Sequence, residues 1–68
     1  MSDYASLADQ VSALEAQVAD ALFDAVRAQL RGDAGSADRE RQLARVRRSL
    51  VKAAALLRAL SEADQQSD

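Results

Sequence analysis

The run Leu30-Arg31-Gly32-Asp33-Ala34-Gly35-Ser36 decides how this chain folds. It holds both glycines of a 68-residue sequence that contains no proline. Gly32 is the residue type that most readily takes the left-handed conformation closing a helix. Arg27 and Arg31 put cations just ahead of it, where the helix dipole is negative. Ser36 is suited to cap a following helix, with Asp38 and Glu40 in its first turn. The spacing predicts a first helix over about 4–31, a polar turn over 32–36 and a second helix over about 37–62. Residues 63–68, Ala-Asp-Gln-Gln-Ser-Asp, read as a flexible, solvated tail.

The flanks carry the matching periodicity. Before the break, Tyr4, Leu7, Val11, Leu14, Val18, Ala21 or Leu22, and Ala25 recur at steps of three and four, one apolar stripe of a helix. After it come Leu43, Val46, Leu50, Ala53 or Ala54, Leu57 and Leu60. Ser6 with Asp9 and Ser12 with Glu15 have capping-box spacing, which puts the first helix start near Ser2 to Ser6. Two helices of roughly 25 residues joined by about five must fold back antiparallel. In such a hairpin, residues at equal height have numbers with a constant total. Val11 with Leu57, Val18 with Leu50, Leu22 with Val46 and Ala25 with Leu43 all total 68, and Leu7 with Leu60 and Leu14 with Ala53 total 67. The fold class is therefore all-α, an antiparallel two-helix hairpin forming a single domain.

One residue forward from that seam is a rotation of about 100°. With the helices running oppositely, the step points to the same side of the hairpin on both. It collects Ala19, Phe23, Val26 and Leu30 from the first helix, and Ala44, Val51 and Ala55 with Arg47 from the second. The opposite side carries Gln10, Gln17, Asp24, Arg45, Ser49 and Lys52, relieved by Leu56 and Ala59. A two-layer hairpin buries its seam from one direction only, whereas ordering each residue costs about 1.5 kcal/mol. A second surface must complete the core. The candidate partner-binding residues are Phe23, Val26, Leu30, Val51 and Ala55. Their occupant is either a different protein or a second copy, the latter giving a four-helix bundle.

Composition removes most chemistry. With no Cys and no His there is no usual zinc site, no disulfide and no Cys–His or Ser–His nucleophile, so no catalytic role, cofactor or metal is expected. One Tyr, one Phe and no Trp leave no platform for stacked bases. The net charge of −2 argues against general nucleic-acid binding. Charge is nonetheless segregated: residues 1–32 hold five acids and two bases, residues 39–58 seven bases and one acid. Arg41, Arg45, Arg48 and Lys52 share a face that could follow phosphates or meet an acidic partner. They also complement the acidic first helix, with Asp24 level with Arg45 and Asp20 with Arg48. The Asp20 and Asp24 carboxylates read as a solvated pair, and Tyr4 as a lid on the open end. No apolar run approaches the roughly 20 residues of a membrane span. The expected setting is the cytoplasm.

Two resemblances add to this. Arg31-Gly32 between two helices, with the aliphatic stretch Ala53 to Leu60, resembles the YscE/PscE-type small type III secretion proteins over about residues 22–60. Asp33 to Ser36 and the arginine-rich Arg39 to Arg48 depart from that pattern. The resemblance implies a hairpin co-chaperone that docks on a tetratricopeptide-like partner and helps keep the needle subunit soluble before export. Val46-Arg47-Arg48 is also similar to a run in a ribosomal protein that is a small helical hairpin, against which the acidic pI of about 4.9 counts.

Overall fold

A computed structural model describes residues 2–66 of the chain. Two helices account for the fold, α1 over Tyr4–Leu30 and α2 over Ser36–Gln66, with no strand among the described residues. They pack against each other as an elongated hairpin, 57 × 14 × 14 Å. Two contacts fix the antiparallel sense. Arg58 reaches Ser12 and Arg47 reaches Glu15, so numbers fall along α2 as they rise along α1. One pair lies above the expected total of 68 and the other below it, as long arginine side chains allow.

The helix ends are built from local hydrogen bonds. Asp3 caps α1, its carboxylate accepting from the Ser6 amide at 3.0 Å. Ser6 and Ser12 lie inside the helix, and the Ser6 hydroxyl accepts from Gln10 Nε2 at 3.3 Å. At the other end Gly32, at φ +79°, donates to the Gln29 carbonyl, and the Asp33 amide donates back to Ala28, each at 3.0 Å. That pair of bonds is the Schellman closure a left-handed residue permits, and it satisfies two carbonyls the helix would otherwise leave open.

The second helix starts differently from expectation. Ser36 is its first residue rather than its cap. The Ser36 hydroxyl turns back to donate to the Asp33 carbonyl at 2.7 Å and is buried. Gly35, at φ +77°, occupies the cap position, and its carbonyl accepts from the Arg39 amide at 3.1 Å. The far end also differs: α2 continues through residues 63–66, where a solvated tail is read from the sequence. Ser61 to Gln66 contains neither glycine nor proline, and Glu, Ala and Gln favour helix, so nothing there interrupts the ladder. Ser67 and Asp68 lie outside the described residues.

The seam is rotated relative to the predicted one. One column on each helix is as expected: Val11, Val18 and Ala25 against Leu43, Leu50 and Leu57 are buried or half-buried. The second column is not. Leu7, Leu14, Val46 and Leu60 are between 42% and 48% exposed. Leu22, Ala53 and Ala54 face inward as expected, while Ala8 and Glu15 on α1 and Ser61 on α2 turn inward where Leu7, Leu14 and Leu60 were expected. The physical reason is size. Ala8, Ala25, Ala28 and Ala54, the fully buried apolar residues, let two backbones approach closely, whereas leucines in both columns would hold them apart. Hydrophobicity alone selects Leu7 and Leu14; the structure turns in Ala8 and Glu15 beside them. Among the described residues no large apolar side chain is fully buried.

Candidate functional site

The Phe23 side of the hairpin is assembled from residues one step forward of the seam on both helices, and the Ser12–Arg58 contact at 2.7 Å ties the two halves together. Phe23 is 59% exposed and Leu30 84%, both toward the turn. Val51 and Ala55 are exposed further along α2, while Val26 is half-buried against the neighbouring helix. Four of the five candidate residues are thus exposed, and Val26 is half-buried.

Cations frame this surface. The Arg27 guanidinium sits 5.0 Å from the Phe23 ring centroid, a cation–π contact across one helical turn. Arg47, Arg48 and Lys52 surround an open recess of about 320 Å³ floored by Val51 and Ala55. Arg47 is held in place from α1, its Nε donating to Glu15 Oε1 at 2.8 Å. An apolar floor with a positive rim can receive an apolar side chain flanked by carboxylates.

The ion pairs expected between the helices are not the ones formed. Asp24 does not meet Arg45, nor Asp20 Arg48, because these four point away from the seam; Glu15 with Arg47 is the interhelical pair among the described residues. Arg31 with Asp33 and Arg41 with Asp38 are local, exposed pairs at 3.5 and 3.6 Å. Glu15 is legible in the sequence only through the seven-residue column Ala8, Glu15, Leu22, which places it inward where Arg47 can reach it. The larger omission is the other side of the hairpin. There Leu7, Leu14, Val46, Leu56 and Leu60 are all at least 42% exposed, whereas the sequence reading buried all but Leu56 in the seam. No group of three or more metal-ligating side chains gathers among the described residues, and none of their helices is long and apolar enough to cross a membrane.

Comparison with protein-family models, with curated proteins and with solved structures finds no match to the chain. What the fold defines is a two-helix hairpin with apolar side chains left outside on both of its broad sides.

Proposed function

We propose that this chain is a non-enzymatic protein-binding module whose docking surface is the Phe23 side. The observation that carries the reading is the exposure of Phe23 and Leu30 on a hairpin whose fully buried apolar residues are all alanines. Burying a Leu or Phe fully contributes about 1.5–3 kcal/mol, and these two side chains have nowhere within the monomer to gain it. The chemistry of the fitting partner is set by the frame: a helical protein with an apolar groove for Phe23 and Leu30. Carboxylates on its rim would face Arg47, Arg48 and Lys52.

The type III secretion co-chaperone reading is the particular form of this proposal. It rests on the likeness carried by Arg31-Gly32 and Ala53 to Leu60. A tetratricopeptide-like partner would supply the groove, and the complex would cover needle-subunit surface that otherwise polymerises. A cytoplasmic setting belongs to the same reading. Co-expression with a needle-type subunit and a tetratricopeptide-like chaperone tests it directly. A stoichiometric complex that Phe23→Asp abolishes, while the helical circular dichroism of the chain is retained, supports the docking surface. No complex with these components refutes the secretion reading, and a complex that survives Phe23→Asp refutes the surface.

A further inference from the structure

The side away from Phe23 carries the longer apolar strip. Leu7 and Leu14 stand one residue before the inward-facing Ala8 and Glu15, and Val46 and Leu60 one residue before Arg47 and Ser61. A backward step turns by about 100° and, in an antiparallel pair, toward the same side on both helices. With Leu56 these five side chains run along much of the hairpin, each between 42% and 59% exposed. Gln10, Gln17 and Ser49 lie among them, and Asp24 and Arg45 share the side toward the turn.

We infer that this side is a homodimer interface, closing two hairpins into a four-helix bundle whose twofold axis runs parallel to the helices. Area is the first argument. The chain exposes 5108 Å², whereas a compact monomer of 7.3 kDa exposes about 4,200 Å². The surplus of about 900 Å² over the whole elongated hairpin is large enough to supply the roughly 800 Å² that each partner buries in a standard interface.

Charge complementarity identifies the occupant and the symmetry. On this side α1 presents Asp24 and α2 presents Arg45, whereas Arg47, Arg48 and Lys52 belong to the Phe23 side and Arg47 is already paired with Glu15. Two twofold arrangements bring these faces together. An axis crossing the helices sets α1 on α1 and α2 on α2, like charge on like. An axis parallel to the helices sets α1 of one copy antiparallel to α2 of the other, opposite charge on opposite. In the second arrangement the equal-height rule of the hairpin also holds between copies. Leu7 then stands level with the partner's Leu60, Leu14 with the partner's Ala53, and Asp24 with the partner's Arg45. Asp24 and Arg45 form no ion pair among the described residues. A second copy thus supplies at matching heights both the apolar surface and the opposite charges. The Phe23 sides remain on the two outer faces of the bundle.

Sedimentation equilibrium of the full chain tests the inference. The expected mass is twice the 7.3 kDa of one chain. Leu14→Asp should weaken the dimer at least about 100-fold, because the twofold axis places the lost burial in the interface twice. Phe23→Asp should leave it unchanged. Asp24→Arg and Arg45→Asp should each weaken self-association, yet the two variants mixed should form a heterodimer in preference to either homodimer. In that mixed pair both cross-subunit contacts regain opposite charges, a result that does not depend on how well Leu14→Asp folds. A monomeric wild type at 100-fold above micromolar concentration overturns the interface. So does a dimer broken by Phe23→Asp but not by Leu14→Asp. Random pairing of the two charge variants overturns the parallel axis.

Discussion

The two glycines at the turn decide between this hairpin and a single straight helix. Gly32 at φ +79° and Gly35 at φ +77° both lie in the left-handed region, and a Cβ at Gly32 would meet nothing within 4 Å. At Gly35 it would come 3.4 Å from Arg39 Nη1, the free end of a flexible side chain. Crowding is therefore negligible, and the penalty of alanine is conformational. A left-handed L-residue costs about 1–2 kcal/mol, offset by about 0.4–1 kcal/mol of lost freedom in the unfolded chain. Each Gly→Ala change should thus destabilise the hairpin by about 1 kcal/mol, a fall of about 4–8 °C in Tm for a domain of this size. In a continuous helix the same change is favourable by about 0.8–1 kcal/mol. For Gly32→Ala with Gly35→Ala the balance between hairpin and straight helix shifts by about 4 kcal/mol, nearly 1,000-fold. The inward stripe continues through the turn, since Ala25, Ala28, Ser36 and Leu43 keep one face at helical spacing. The double variant should therefore open into a helix spanning residues 4–66 and pair with a second chain through the same seam contacts. At 1.5 Å per residue that rod is about 95 Å long, against 57 Å for the hairpin. Small-angle X-ray scattering reads the maximum dimension, and circular dichroism the helix content. D-alanine at position 32, reachable by chemical synthesis, should do the opposite and raise Tm. A double variant that keeps the short dimension and the wild-type Tm would show that the turn does not depend on left-handed glycines.

Three smaller perturbations check the rest of the frame. Asp3→Ala removes the acceptor of the Ser6 amide and should destabilise by about 1 kcal/mol, with increased amide exchange confined to the first turn of α1. Ser36→Ala removes the donor to the buried Asp33 carbonyl; a loss of about 1 kcal/mol in urea unfolding is expected, and an unchanged midpoint would mean that water replaces the hydroxyl. For Glu15 and Arg47, 2.8 Å apart with side chains 21% and 50% exposed, a double-mutant cycle of Glu15→Gln and Arg47→Gln should give a coupling of about 0.5–1 kcal/mol that fades in high salt. Zero coupling would remove this pair as a determinant of register.

The turn, the two helices and their antiparallel sense were legible because each is signalled locally. Gly32 ends one ladder, Ser36 lies at the start of the next, and the leucine spacing gives one face to each helix. The rotation of the seam was not, because it depends on how closely two backbones approach. Along α1 the inward column at Val11 and Val18 can be completed by Leu7 and Leu14 on one flank or by Ala8 and Glu15 on the other. Hydrophobicity favours the first set. Only the facing helix, with Ala54 buried opposite, makes the second the closer fit. Phe23 and Leu30 were identifiable as outward residues because they stand far from both columns. Leu7, Leu14, Val46 and Leu60 were not, because they lie on the flank that the choice of column turns inward or outward.

That choice of column also explains why charge lies where it does. With leucines in the seam, Glu15 and Arg47 would sit outside, and their pair would contribute as little as other exposed ones. Turning the alanine column inward carries Glu15 to 21% side-chain exposure, where solvent screens it less and Arg47 answers it from across the seam. The same rotation moves four large apolar side chains onto a broad face and leaves Asp20, Asp24, Arg45 and Arg48 pointing outward without ion-pair partners among the described residues. A seam whose fully buried apolar members are alanines, with its valines and leucines only half-buried, gives little burial. The burial it gives up reappears as an exterior strip whose neighbouring charges are of opposite sign on the two helices. A surface of that kind is complementary to itself when one copy is turned by half a revolution about the long axis of the hairpin.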